Sequence, residues 1–341
     1  MKRKAQLAFL AIALCSGALG QSGASSLRGN EARKVKGQPF ERLTTKDSLG
    51  RAVTYYLSET LASDGSLPLV VFVQGSGCDS LFRLEGERIV PTGGFATFHD
   101  AFGRTARLML VEKVGVKILE SGSDGCVNKA DFNRENTLDR RAESIRASIL
   151  NAIDLGSVKA SGVIVIGHSE GGLVSARVAR MLPKEVSQIA LLAAGGPTQL
   201  FDLISLARRG SFFSEVSSEP EQRVAHVVEE WKRILKDPGS ETKFFFGFAY
   251  KRWSSFLRTS PIDELENFSG RIYIGQGVED QAVDVASADA LFADLVTKRK
   301  DVVYSRVAGA DHSFRFGDVK RDGWGEQARA IREWHSASSI K

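Results

Sequence analysis

The stretch Val163-Ile164-Val165-Ile166-Gly167-His168-Ser169-Glu170-Gly171-Gly172-Leu173-Val174 constrains this chain more than any other. Its four consecutive β-branched residues predict a strand buried on both faces, as in a parallel sheet. From Leu173 onward the apolar positions take helical spacing, with Leu173, Val174, Val178 and Met181 on one side. Between strand and helix lies Gly167-x-Ser169-x-Gly171, the pattern of a nucleophile elbow. A serine in so tight a turn projects its hydroxyl above the sheet edge. Side chains two residues to either side would collide there, which calls for glycine. The helix that follows points its first N–H groups at the serine, an arrangement suited to a developing oxyanion. An ordinary glycine-rich strand-to-helix turn looks similar, so the weight rests on what accompanies the motif downstream.

Gly167-His168-Ser169-Glu170-Gly171-Gly172 resembles the α/β-hydrolase superfamily, in particular its secreted-esterase, dienelactone-hydrolase-like and prolyl-oligopeptidase-like branches. The resemblance covers most of residues 50–335 through four separated points. It implies a fold and a Ser-His-Asp triad and says little of the substrate. The second point is Gln74-Gly75-Ser76-Gly77-Cys78, which follows the apolar run 67–73 where the family keeps its oxyanion loop, with Gln74 in place of the usual histidine. The resemblance implies that the main-chain N–H groups of Ser76 and Glu170 are the two oxyanion donors; a simple strand-ending turn is the other reading. Third, Gly277-Val278-Glu279-Asp280-Gln281-Ala282-Val283 is similar to the family's Gly-x-x-Asp-x-x-Val and implies Asp280 as the triad acid, with Glu279 and Asp284 as chemical rivals. Fourth, Ala308-Gly309-Ala310-Asp311-His312-Ser313-Phe314 follows the last strand-like run and implies His312 as the general base. The order Ser169, Asp280, His312 matches the superfamily. His99, His226 and His335 lack such a setting, and His168 is expected to support the elbow.

Strand-like and helical runs alternate through the chain, which predicts an α/β fold with a doubly wound, mostly parallel sheet. The runs 40–45 and 51–57, joined by Asp47-Ser48-Leu49-Gly50, predict an antiparallel pair ahead of it. Residues 40–197 and 269–341 are expected to form the core, and 198–268, which carry no strand pattern, a helical cap insertion with helices over 201–207, 224–235 and 241–257. The last of these holds more aromatic rings than one buried face can use. Phe245, Phe248 and Trp253 are therefore expected at a largely apolar substrate pocket, the other reading being that they pack the cap helices together.

Lys2, Arg3 and Lys4, the short apolar run Ala5–Ala18 and the small residues of Ala18-Leu19-Gly20 predict a cleaved signal peptide over residues 1–20, with a flexible segment over 21–39. Export to the periplasm or beyond is expected. Leu14 before Cys15 departs from a lipoprotein site, and the apolar run is too short for a stable membrane span. Losing the leader lowers the formal charge from +5 to about +2. With no basic stripe interleaved with aromatics, nucleic acid is not an expected partner. Cys78 and Cys126 then remain, a candidate disulfide in an oxidising compartment or two buried thiols that never meet. No clustered ligand spacing predicts a metal and no glycine-rich phosphate loop a nucleotide, so no cofactor is expected.

The expected activity is hydrolysis of a small-molecule carboxylic ester through an acyl-enzyme. Three alternatives remain. One is an aminopeptidase-like amide hydrolase, in which Glu219, Glu221, Glu229 or Glu230 of the cap would hold an amine. The second is acyl transfer to an alcohol, and the third a binding protein that kept the fold without the chemistry.

Overall fold

In the computed structural model, residues 33–59, 67–103, 105–120, 125–317 and 320–337 are described; the expected leader lies outside them. The main sheet is built from β1 (Phe40–Lys46), β2 (Ala52–Ser58), β3 (Leu69–Val73), β6 (Arg107–Val111), β7 (Val163–His168), β8 (Val186–Leu192), β11 (Arg271–Gly277) and β12 (Val302–Val307). Two small hairpins take the remaining strands, β4 (Phe82–Glu85) with β5 (Arg88–Pro91) and β9 (Phe244–Phe245) with β10 (Phe248–Ala249). The helices are α1 (Phe95–Phe102), α2 (Ala130–Glu135), α3 (Leu138–Asp154), α4 (Glu170–Met181), α5 (Gln199–Arg209), α6 (Pro220–Lys236), α7 (Tyr250–Phe256), α8 (Pro261–Glu264), α9 (Val285–Thr297) and α10 (Gly323–Ser336).

The sheet order is β1-β2-β6-β3-β7-β8-β11-β12. β1 and β2 are antiparallel, β2 meets β6 antiparallel, and every later pairing is parallel. The all-apolar strands are explained by burial on both sides. Within β3, Leu69, Val71 and Val73 enter one core while Val70 and Phe72 enter the other. Val163 and Val165 of β7 likewise part from Ile164 and Ile166. The first core is covered by α3, α4 and α9, and the second by α1 and α10. After β3 the chain goes to β6 on one side and then crosses to β7 on the other, so the direction of winding reverses there. Ligands in open α/β sheets bind outside the carboxyl ends of the strands at such a point.

Three stretches differ from the reading of the sequence. Residues 33–39 do not behave as a tether: Val35 is buried in the second core, and Lys34 pairs with Glu41 in an isolated antiparallel bridge. Residues 82–102, to which the sequence assigns no element, hold the β4–β5 hairpin and α1, whose Phe95, Phe98 and Phe102 are buried. The third concerns 241–257, where a helix was expected. Phe245 pairs with Phe248 around Phe246 and Gly247, both at positive φ (43° and 79°), and the helix begins only at Tyr250. A two-residue turn of that kind favours glycine, and the burial of Phe245 in the cluster around Phe213 and Trp253 favours the paired strands over the helical reading.

The cap keeps its own apolar cluster, in which Leu203, Phe213, Val227, Ile234, Phe245 and Trp253 are buried together. α5 carries an N-cap hydrogen bond from Phe201 N to the Thr198 side chain and ends at Gly210 in the left-handed region; α6 begins with Pro220 in its first turn.

Candidate active site

The loops after β3, β7, β11 and β12 converge at the carboxyl edge of the sheet. Ser169, between β7 and α4, sits at φ 56° and ψ −130°, a conformation that non-glycine residues rarely adopt. Its neighbours show why the turn tolerates no bulk. A Cβ at Gly167 would lie 2.3 Å from the Gly171 carbonyl oxygen, and one at Gly171 would lie 2.2 Å from that of Val73. Ser169 and His312 line the same two clefts, of about 570 and 290 Å³.

His312 Nδ1 lies 2.9 Å from Asp280 Oδ2. Asp280 is fully buried, and every contact to its carboxylate comes from a donor: Gln276 Nε2 at 2.9 Å on Oδ2, and the main-chain N–H groups of Ala282 (2.7 Å) and Val283 (2.9 Å) on Oδ1. A carboxylate so held presents an acceptor to the ring and selects the tautomer with the proton on Nδ1. The rivals are occupied elsewhere. Asp284 accepts the Ala286 N–H at the start of α9 (3.0 Å) and pairs with Arg209 (3.0 Å) and Ser205, while Glu279 is exposed.

His168 faces His312 with ring centroids 4.9 Å apart, and its Nε2 donates to the His312 carbonyl oxygen at 2.9 Å. Burial first, and then the neighbouring imidazole, push its pKa down to about 4, so it is neutral near pH 7 and steadies the loop that carries His312. The expected supporting role is thus directed at the histidine as well as the turn.

Ser76 lines both clefts with Ser169. Among the described residues, neither the Ser76 nor the Glu170 main-chain N–H has a hydrogen-bond partner. Cys78, at the end of that loop, is disulfide-bonded to Cys126 with a Cα–Cα distance of 5.6 Å across 48 residues. Closing such a loop is worth about 2–4 kcal/mol against the unfolded chain. The Cys126 side is held in turn, since Asn133 Nδ2 donates to the carbonyls of Cys126 (3.0 Å) and Val127 (3.1 Å).

The smaller cleft is walled by the cap. Phe248 and Trp253 line it, joined by Phe212 and Phe246. Phe245, expected there, does not; it stacks on Phe213 at 5.7 Å within the cap cluster, because its strand pairing turns it inward. Nor do the four cap glutamates reach the two clefts: Glu221 pairs with Arg208, Glu229 with Lys232 and Glu230 with Arg233, and Glu219 is exposed.

Several site residues gave no signal in the sequence. Gln276 within β11 reads as a chance polar residue, yet it orients Asp280. Arg252 of α7 lies 3.7 Å from the Trp253 ring centroid and forms an ion pair with Glu170. Arg141 pairs with the other oxygen of Glu170, and it falls on the apolar face of α3 marked by Leu138, Ala142 and Ile145, an anomaly that flags it in retrospect.

Asp202 also lines the smaller cleft. Burial, and then the nearby Asp284 and Asp280 carboxylates, push its pKa up to about 8, with its Ser287 hydrogen bond opposing. A raised folded-state pKa means that the folded chain holds a proton the unfolded chain has released. Stability therefore falls as pH rises from about 4 to about 8, by at most about 1.4 kcal/mol per unit. Asp202→Asn should remove that slope, so its melting temperature relative to wild type should climb between pH 5 and pH 8. Parallel melting profiles over this range would contradict the assignment.

No protein-family model matches the chain, and no curated protein matches it in sequence. Solved structures do match in fold. Est1E from Butyrivibrio proteoclasticus, with ferulic acid bound, is 15% identical with a TM-score of 0.58, over 88% of this chain and 100% of that one. The esterase domain of a Rhodothermus marinus protein is 15% identical with a TM-score of 0.53, over 86% of this chain and 97% of that one. A puromycin-hydrolysing peptidase from Mycobacterium tuberculosis is 15% identical with a TM-score of 0.57 over 88% of this chain, which spans only 40% of the peptidase's length. Among the described residues no three His, Cys, Asp or Glu side chains group as a metal site, and no helix is long and apolar enough to cross a membrane. With its parallel sheet, its strained elbow and these structural neighbours, the chain has the fold of the α/β-hydrolase superfamily.

Proposed function

We propose that the protein is an exported serine hydrolase that cleaves carboxylic esters through an acyl-enzyme. The observation that carries this reading is the hydrogen bond from His312 to the fully buried Asp280, with the imidazole lining the same clefts as Ser169 in its strained turn. Ser169 Oγ attacks the acyl carbon as His312 Nε2 takes its proton, and the carbonyl oxygen becomes an oxyanion. The unpartnered N–H groups of Ser76 and Glu170 supply two donors for that charge. Collapse expels the alcohol with the proton from His312, and a water molecule repeats the sequence on the acyl-enzyme. Asp280 keeps the proton of the neutral ring on Nδ1 and stabilises the imidazolium.

Hydrolysis is supported by the fold neighbours, which include esterases and peptidases. Ester cleavage is favoured by the cap, whose aromatic wall offers an acyl group an apolar surface while its glutamates stand away from the clefts. The Cys78–Cys126 disulfide is compatible with an oxidising compartment.

A panel of p-nitrophenyl acetate, hexanoate and phenylacetate beside aminoacyl anilides tests the assignment. Esters should be turned over at least 100-fold faster than anilides, with hexanoate preferred to acetate. Phe246→Ala, which removes an exposed ring of the wall (47% exposed), should cut that preference about 3- to 10-fold with little change in melting temperature. Faster anilide cleavage would favour the peptidase reading, and an unchanged chain preference would place the acyl group elsewhere.

A further inference from the structure

Two main-chain N–H groups can share an oxyanion only if their peptide planes are fixed, and a loop such as Gly75-Ser76-Gly77 has little of its own to fix them. Against this loop the structure buries an unusual amount of charge. Lys113, two residues beyond β6, is 6% exposed, and its Nζ donates to the carbonyls of Gly75 (2.7 Å) and Gly77 (2.6 Å). Arg141, 7% exposed, donates from Nη2 to the Gln74 carbonyl at 2.9 Å and from Nη1 to the Glu170 carboxylate. Glu170, 5% exposed, takes Arg252 on its other oxygen. Ion pairs buried this deeply seldom stabilise a fold more than apolar side chains of equal volume would. Stability alone does not account for the cluster.

We propose that Lys113 and Arg141 are positioning residues for the oxyanion site, holding the carbonyl side of successive peptides so that the opposite N–H groups face Ser169. This rests on the triad reading above. In a trans peptide the C=O and the following N–H point in opposite directions. Lys113 on the Gly75 oxygen therefore sets the direction of the Ser76 N–H, and Arg141 on the Gln74 oxygen sets that of Gly75. Gly75 is pressed against the nucleophile: a Cβ there would lie 3.0 Å from Ser169 Cβ and 3.4 Å from Oγ. The second donor belongs to Glu170, whose side chain the same Arg141 grips. One guanidinium thus ties the two halves of the site together. Burial, and then the nearby Arg141, hold the Lys113 amine well below its ordinary pKa.

The test uses Lys113→Met, which keeps the chain length and removes the donors, and Arg141→Lys, which keeps the charge and loses the fork. Each is measured for KM and kcat on p-nitrophenyl hexanoate, for inhibition by the matching trifluoromethyl ketone, and for melting temperature. Fluorophosphonate titration supplies the count of competent sites. The ketone forms a tetrahedral adduct on the serine and so reports the oxyanion site directly. We expect kcat per competent site to fall 10- to 300-fold with KM within threefold. The ketone's inhibition constant should rise by the same factor as the loss in kcat/KM. Full kcat in a folded variant, or a fall in kcat with unchanged ketone affinity, would overturn the proposal. Failure of both variants to fold would assign the cluster to stability and overturn it as well. If Ser169→Ala itself stays active, the triad reading fails first; if only the Lys113 and Arg141 variants stay active, this inference fails alone.

Discussion

Ser169→Ala should lower kcat by about 10⁴-fold or more while leaving the melting temperature within a few degrees of wild type. The hydroxyl is the attacking atom in the proposed reaction, and the substitution removes nothing else. Alanine keeps the same Cβ in the same turn, so the φ of 56° is strained to a similar degree before and after. KM should change little, because the cap and the oxyanion loop bind the substrate without the hydroxyl. His312→Ala should cost a similar factor, since nucleophile and base act as a unit. Steady-state kinetics on p-nitrophenyl hexanoate, corrected for folded protein, measures both. More than a tenth of wild-type turnover in either folded variant would remove that residue from the triad.

Asp280→Asn should lower kcat by about 10³- to 10⁴-fold, and the surroundings of Asp280 explain why an isosteric change costs so much. The Oδ1 position accepts two main-chain N–H groups, from Ala282 and Val283, so the amide oxygen of an asparagine would settle there. Its NH₂ would then face His312 Nδ1 and Gln276 Nε2, where an acceptor is now present. The imidazole would respond by placing its proton on Nε2, leaving no free lone pair toward Ser169. Asp284→Asn should do something different. It weakens the Arg209 and Ser205 contacts while its amide oxygen can still cap α9, costing about 1 kcal/mol of stability because Arg209 is partly exposed, and kcat should stay within a fewfold. The reverse ranking in kcat would move the triad acid to Asp284.

The parts of the fold legible in the sequence are those where a single local rule dominates. Val163–Ile166 is continuous and apolar because two cores claim alternate residues, and the Gly167 and Gly171 contacts allow no side chain. The helix over 138–154 carries a plain apolar stripe at Leu138, Ala142, Ile145 and Ile149. The sequence misleads where tertiary contacts decide. Phe244–Ala249 reads as helical only because its rings are dense; Gly247 and the pairing of Phe245 with Phe248 make it a hairpin. Val35 looks like an isolated apolar residue in a polar segment until the second core covers it. In the site, the candidates Ser169, Asp280 and His312 are marked by short motifs behind β7, β11 and β12, whereas Lys113, Arg141 and Arg252 come from the end of β6, α3 and α7, between 29 and 82 residues from the groups they hold. No short motif records such distant partners. The one trace was a charged residue, Arg141, on an otherwise apolar helix face.

The central claim is that Ser169 is a nucleophile activated by His312, and covalent capture tests it most directly. Purified protein treated with a fluorophosphonate near neutral pH should gain one adduct, and peptide mapping should place it on Ser169. His312→Ala should slow the labelling by at least about 100-fold. No adduct on wild-type protein that hydrolyses esters, or an adduct on a different serine, would contradict the account.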